Sequence, residues 1–144
     1  MYRGGGVALF QRLDSSKEYT ILLGRRKYNP EKGKWSIPGG GFEKGDVDLS
    51  KTAKREFKEE TGLDLHSIVL DDKPLECNII IPFIFKWKTL IYVLRPDWVL
   101  NKTYFDEFSE IQQIPLSELK NVELAFGVKH EVKTFIRKYK HKEA

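Results

Sequence analysis

The 144-residue chain contains one cysteine, one methionine and six prolines. It also lacks any apolar run near the roughly 18 residues that a membrane-spanning helix requires. A single thiol, Cys77, excludes an internal disulfide, which fits a reducing compartment. Its setting in Glu-Cys-Asn-Ile-Ile-Ile reads as a buried structural thiol. The opening Met1–Phe10 has no basic flank leading into a long apolar segment, so the expectation is a soluble, cytoplasmic protein that does not engage a membrane. Charge is only mildly one-sided: net +4, with pI near 9.1. That balance favours anionic partners in a general way. Much of the excess lies in Lys138-Tyr-Lys-His-Lys-Glu-Ala144, which reads as a solvated helix end rather than a nucleic-acid arm. His66, His130 and His141 have no metal-ligand spacing and read as surface residues. Internal repeats and low-complexity linkers are also missing, so residues 1–144 should form one domain.

Branched and aromatic residues predict paired strands at Val7–Gln11 and Tyr19–Leu23, with a polar turn at Asp14–Glu18. A loop follows at Tyr28–Lys34, leading through Trp35-Ser-Ile-Pro38 into three glycines. The stretch Asp48–Thr61 has neither proline nor glycine, which predicts a helix capped by Asp48 and stopped by Gly62. Further strands are expected at Ser67–Leu70, Asn78–Phe85, Thr89–Leu94 and Glu110–Ile114, with Lys86-Trp-Lys88 as a connection. Pro115–Leu119 reads as a short helical turn. A final helix over Leu124–Tyr139 places Ala125, Val128, Val132, Phe135, Ile136 and Tyr139 at helical spacing. Strands interspersed with two substantial helices predict an α/β or α+β sandwich.

At about 100° per residue, Leu49, Ala53 and Phe57 form the apolar stripe of the first helix, and Lys51, Lys54 and Lys58 lie opposite. Glu56 and Glu60 fall within or beside that stripe, and Glu59 lies about 60° from Glu56 on the same flank. Carboxylates on a core-facing side repel one another and lose hydration, so each must be neutralised, paired or metal-bound. A divalent cation such as Mg²⁺ or Mn²⁺ meets that need, because it takes hard oxygen ligands and binds phosphate oxygens alongside carboxylates. Glu56, Glu59 and Glu60 are therefore the candidate metal ligands. Gly39–Gly41 suits a loop needing close backbone approach. It is neither a Walker loop nor a dinucleotide fingerprint. Gly4–Gly6 reads as the start of a strand packed closely on a neighbour.

Arg55-Glu-Phe-Lys-Glu-Glu-Thr-Gly-Leu63 resembles the Arg-Glu-x-x-Glu-Glu-x-Gly core of the Nudix box. The preceding Trp35-Ser-Ile-Pro-Gly-Gly-Gly-Phe-Glu-Lys-Gly-Asp46 is similar to its Pro-Gly-Gly loop. One departure stands out: counting from Gly40, Asp46 occupies the place of the family's first glutamate, and eight residues rather than seven separate it from Arg55. The extra residue falls in Val47-Asp48-Leu49, ahead of or within the first helical turn. Asp46 is not expected to be a ligand.

The resemblance implies an α/β/α sandwich with a mixed sheet between helices. It also implies a hydrolase that directs water onto a phosphorus of a nucleoside diphosphate linked to another moiety. In that scheme Glu59 and Glu60 ligate the metal, Glu56 binds metal or helps activate water, and the Gly40 carbonyl completes the site. Arg55 orients a carboxylate of the box or contacts substrate phosphate. The position of the base varies within the family, inside or outside the box; here Glu107 and Glu110, outside it, are the candidates. Trp35, Phe42, Tyr104, Phe105 and Phe108 could stack on a base, but aromatics near strand ends more often serve core or rim packing, and none is assigned to the site. Nucleotide cleansing, nucleotide-sugar turnover and RNA 5′-end processing stay open, as does oligomeric state. One rival is a catalytically inert Nudix-like domain binding nucleotide or RNA; another is an isomerase of a diphosphate lipid precursor.

Overall fold

The computed structural model describes residues 1–13 and 17–143. The polar turn expected at Asp14–Glu18 falls mostly outside the described residues, as do Ala144 and the side chains from Lys140 onward, including His141. Among the described residues, seven strands form one mixed sheet. Central strand β1 (Tyr2–Arg12) runs antiparallel to β2 (Tyr19–Arg26). Strands β3 (Trp35–Ser36) and β4 (Gly39–Gly41) pair with β2 and β1 respectively. Helices α1 (Leu49–Thr61) and α2 (Leu65–Ile68) follow. Strand β5 (Leu75–Ile81) pairs with β6 (Phe85–Val93), which lies parallel to β1. Strand β7 (Phe108–Pro115) returns to β2 before helix α3 (Val128–Glu143) closes the chain.

Both sheet faces are covered, and alternation along β1 shows how. Val7 and Leu9 point toward α1 and α2, joining Leu22, Ala53, Phe57, Leu90 and Phe108 in one core. Ala8 and Phe10 point the other way, into a second core with Ile21, Leu23, Ile91, Val132 and Phe135. Phe10 and Phe135 stack with ring centroids 3.8 Å apart, fixing α3 to the sheet. Cys77 is a free, buried thiol within this second core. No described helix is long and apolar enough to cross a membrane.

The first helix follows its sequence signals closely. Asp48 caps it by accepting from the Lys51 amide at 2.9 Å, and Gly62 ends it at φ 70°. Other boundaries differ. Ser67–Leu70 is not a strand: Leu65 and Ile68 are both buried, which a helical turn satisfies, and only Val69 bridges to Leu94. Lys86-Trp-Lys88 lies inside β6, not between strands, because Pro82-Phe83 makes the turn, with Phe83 at φ 66°. The final helix starts at Val128 rather than Leu124, since Gly127 adopts φ 93° and residues 123–125 bond to the backbone of Trp35. Ile136, expected in its core, is 39% exposed at the edge of the contact. Gly39–Gly41 is a strand instead of a loop, because facing glycines on β1 let the two backbones pair.

Candidate active site

The site is built on a ladder without side chains. Gly4, Gly5 and Gly6 of β1 pair with Gly41, Gly40 and Gly39 of β4. On one face, a Cβ at Gly5 would lie 2.7 Å from the Leu49 carbonyl oxygen, and one at Gly40 would lie 2.4 Å from the Glu56 carboxyl carbon. Helix α1 therefore sits almost on the backbone, with Glu56 laid across Gly40. On the opposite face, Cβ atoms at Gly4, Gly6 and Gly39 would come within 2.9 Å of the Trp87 indole. The strand-like packing expected of Gly4–Gly6 is the arrangement found.

Glu60 is 7% exposed, and its Oε1 accepts from the Gly39 amide at 2.9 Å. Because the amide and carbonyl of one strand residue share a side, the Gly39 carbonyl faces the same open edge. The Gly40 carbonyl is turned toward β1, 2.6 Å from where a Gly4 Cβ would stand. This differs from the expectation that the Gly40 carbonyl completes the site: Gly40 contributes the space for Glu56, and Gly39 contributes the exposed backbone.

Arg55 ties the helix to the loop before it. Its Nε and Nη2 donate to Asp46 Oδ1 and Oδ2 at 3.0 and 2.9 Å, and Nη2 also donates to the Gly41 carbonyl at 2.9 Å. Nη1 reaches Glu56 at 3.0 Å and Glu59 at 3.2 Å. Asp46, whose role the altered spacing left undefined, is thus the anchor of this network. It also accepts from the Glu43 amide and the Thr52 hydroxyl. Its bonds to Arg55 and the Glu43 amide hold its carboxyl well below the usual carboxylate range.

Glu107 occupies a turn at φ 68° and lines a cleft of about 100 Å³ with Glu60, Gly39, Arg26, Tyr28 and Asn29. Glu110 is not in that cleft; it accepts from Gln112 at the exposed surface of β7. Burial pushes Glu60 up to about 8, with the Gly39 amide opposing and Glu107 and Glu56 adding to the rise. Burial likewise raises Glu56, against the pull of Arg55. Among the described residues no three acidic, histidine or cysteine side chains converge at ligating distance. Glu56 and Glu59 are turned onto Arg55, and Glu60 onto Gly39. The donor set still suits a hard divalent cation: oxygen donors, two of them in or beside a cleft, whose charged forms are disfavoured without a counter-charge.

The aromatic residues divide by role. Phe105 and Phe108 are core, and Trp35 is 8% exposed within the second cluster. Phe42 packs under Arg3, and Tyr104 is exposed beside Lys27. Arg26 was missed by sequence reasoning, although it is the middle residue of the run Arg25-Arg26-Lys27 and the last residue of β2. Its side chain donates to the Pro30 carbonyl, and its charge acts on Glu60.

A mixed sheet between helices, with a carboxylate-bearing helix seated on a glycine ladder, defines an α/β/α sandwich. A family model described as NUDIX domain matches residues 3–138, and the chain belongs to that family. An ADP-ribose pyrophosphatase of Methanocaldococcus jannaschii is 49% identical over 47 residues, a segment that is 33% of this chain and 27% of that enzyme. The NUDIX domain of Shewanella oneidensis NrtR, solved with ADP ribose, superposes with TM-score 0.69 at 19% identity, over 95% of this chain and 87% of that one. A C. elegans Ap4A hydrolase binary complex gives TM-score 0.70 at 17% identity, covering 98% and 99% of the two chains. A bifunctional NMN adenylyltransferase/ADP ribose pyrophosphatase from Francisella tularensis, complexed with AMP and a Mn ion, gives 0.69 at 20% identity over 95% and 41%. These three structural likenesses show the fold.

Proposed function

We propose that the chain is a divalent-metal-dependent Nudix hydrolase that cleaves the phosphoanhydride of a nucleoside diphosphate linked to a second moiety. The observation that carries this reading is the placement of Glu56 and Glu60, held against the backbone of the glycine ladder and sharing the charge of Glu107 at an open cleft. Glu56, Glu59 and Glu60 would hold Mg²⁺ or Mn²⁺, with the backbone carbonyl at the Gly39–Gly40 edge; the strand register favours Gly39. When bound, the metal supplies charge neutralisation for the phosphates and a lowered pKa for bound water. Arg55 fixes the side-chain positions of Glu56 and Glu59 relative to the loop, so that little reorganisation is needed when substrate arrives. Glu107, on the opposite wall, is the favoured base, taking a proton from the water that adds to phosphorus as the bridging P–O bond breaks. Arg26 is positioned to contact a substrate phosphate.

ADP-ribose is the first substrate to examine, since two of the named relatives are called ADP-ribose pyrophosphatases and another was solved with ADP ribose. The decisive assay is a panel of ADP-ribose, dinucleoside polyphosphates, nucleotide sugars and capped RNA, with product identification, with and without Mg²⁺ or Mn²⁺. Metal-dependent release of two phosphorylated products from at least one small nucleotide, lost in Glu60→Gln, supports the proposal. No turnover on any of them, combined with RNA binding unaffected by Glu60→Gln, would favour the inert binding domain instead. An isomerase would release no phosphorylated fragment.

A further inference from the structure

One end of the molecule is apolar without being covered. Ile79-Ile80-Ile81-Pro82-Phe83-Ile84-Phe85 has no polar side chain, yet it forms the tip of the β5–β6 hairpin, where turns ordinarily take glycine, asparagine or aspartate. Phe83 adopts φ 66° and is 93% exposed, so it carries backbone strain and gains no burial within its own chain. Ile80, Ile81 and Ile84 are 60%, 38% and 65% exposed beside it. Tyr2 and Phe126, both in ring contact with Phe85, are 48% and 60% exposed. With about 200 Å² to a large side chain, these six leave on the order of 700 Å² open. That exceeds the largest patch of an ordinary monomer, about 300–600 Å². It approaches the about 800 Å² that each partner of a stable dimer buries.

The same hairpin carries an open sheet edge. Among the described residues no strand lies beyond β5. The Glu76 carbonyl is turned away from β6, since it accepts from Lys138 at 2.8 Å. Alternation along the strand turns the amides and carbonyls of Asn78 and Ile80 the same way. Natural edges are blunted by charge, proline or a cover. Here the charged residue, Glu76, sits where Lys138 already covers the edge, and the open part has none. A cavity of about 340 Å³ lies at the other end of β5, with Leu75, Ile91, Val93, Phe135 and Tyr139 among its walls.

We propose that a second copy of this chain covers this end, in a symmetric dimer whose β5 strands pair antiparallel across a two-fold axis at Ile79. The register follows from the edge. Centring the axis on Asn78 would set Ile80 against the partner's Glu76, whose carbonyl is already bonded. Centring it on Ile80 would set Asn78 against the partner's Pro82, which has no amide hydrogen. An axis at Ile79 pairs Asn78 with the partner's Ile80, and Ile80 with the partner's Asn78. Phe83 lies four residues beyond that axis and Leu75 four before it. At about 3.3 Å per residue, each hairpin tip therefore arrives at the partner's cavity. Such a contact closes on itself and does not propagate. A lipid surface would take the tip alone and leave the β5 edge and the cavity unfilled. Assembly of this kind is separate from the chemistry of the carboxylate cleft.

The test is sedimentation velocity on the full chain at low and high micromolar concentration, where wild type should reach twice the chain mass. Phe83→Gly suits φ 66° and so preserves the hairpin. It should weaken the dimer about tenfold or more, as loss of a hot-spot aromatic does. In a Cys77→Ala background, Ile79→Cys should form an inter-chain disulfide on mild oxidation. Residues facing each other in a non-hydrogen-bonded antiparallel pair have Cα atoms about 4.5 Å apart, within the span of a disulfide. Glu76→Cys in the same background should stay unlinked. Wild type that is monomeric throughout overturns the proposal. So does a dimer whose affinity is unchanged in Phe83→Gly, or a disulfide that forms at Glu76→Cys and not at Ile79→Cys. Monomers that float with phosphatidylcholine–phosphatidylglycerol vesicles, and lose that binding in Phe83→Gly, would overturn it in favour of a lipid surface.

Discussion

Arg55 grips both oxygens of Asp46, nine residues earlier, through Nε and Nη2, a two-pronged pairing that only a guanidinium provides. The same side chain reaches Glu56 and Glu59, so the glycine loop and the carboxylate helix are positioned by one residue. Arg55→Lys should lower Tm and reduce kcat about tenfold or more, with the larger effect on kcat than on KM, because a single ammonium cannot hold the two elements together. Thermal melts and steady-state kinetics on one preparation would check it.

Acid should undo this link. Asp46 is held below its ordinary range when folded, so the folded state stays ionised where the unfolded chain takes up a proton. Its contribution is complete at neutral pH and disappears as pH falls through the ordinary carboxylate range toward its depressed folded value. Asp46→Asn should therefore flatten the acid limb of a Tm-against-pH profile. Parallel curves for wild type and variant below pH 5 would contradict the assignment.

Glu60 has the opposite sign. Its pKa rises from an ordinary 4.5 to about 8 in the metal-free fold, so the native state holds a proton that the unfolded state has released. Metal-free stability should fall as pH rises across that interval, and Glu60→Gln should lose that part of the slope. Activity in the variant should drop by roughly 100-fold or more, the scale set by removing one group that stabilises a charged transition state. Adding Mg²⁺ should raise wild-type Tm at pH 8 far more than that of Glu60→Gln.

Gly40→Ala places a methyl group where the Glu56 carboxylate lies. The expected cost is about 1–3 kcal/mol of stability, as for other overpacked sites, together with a severe loss of kcat. Denaturant titration separates the two effects, since activity should be lost even where the variant is fully folded.

Glu107 and Glu110, indistinguishable as candidate bases in sequence, separate in the structure. Glu107→Gln should cost about 10²–10⁴-fold in kcat, the usual contribution of a general base. Glu110→Gln should change it by less than about threefold, since its side chain bonds to Gln112 away from the cleft. A reversed order of effects would reject the assignment of Glu107.

The parts legible in the sequence were those governed by local periodicity and capping. The Asp48 cap, the Gly62 stop and the inward turn of Glu56 and Glu60 all follow from positions within a few residues. Three things were not local. The Asp46–Arg55 pairing closes across an inserted residue, and spacing alone does not say which carboxylate the arginine prefers. The identity of Gly39–Gly41 as a strand depends on Gly4–Gly6, more than thirty residues earlier. The burial of Glu131 needs α3 to close on Thr89 of β6. Glu131 itself was within reach of the wheel argument applied to the first helix. It lies three residues after buried Val128 and four before buried Phe135, a carboxylate at a core position of the last helix.

Where β1 meets α1, a methyl group on Gly5 would already be 2.7 Å from a helix carbonyl and 3.1 Å from the Ala53 side chain. The separation between sheet and helix is thus gauged by main chain against main chain rather than by interchangeable side chains. Core substitutions elsewhere can loosen or repack the molecule without altering that gauge. The carboxylates on α1 consequently keep a fixed height above the ladder, whichever residues drift around them.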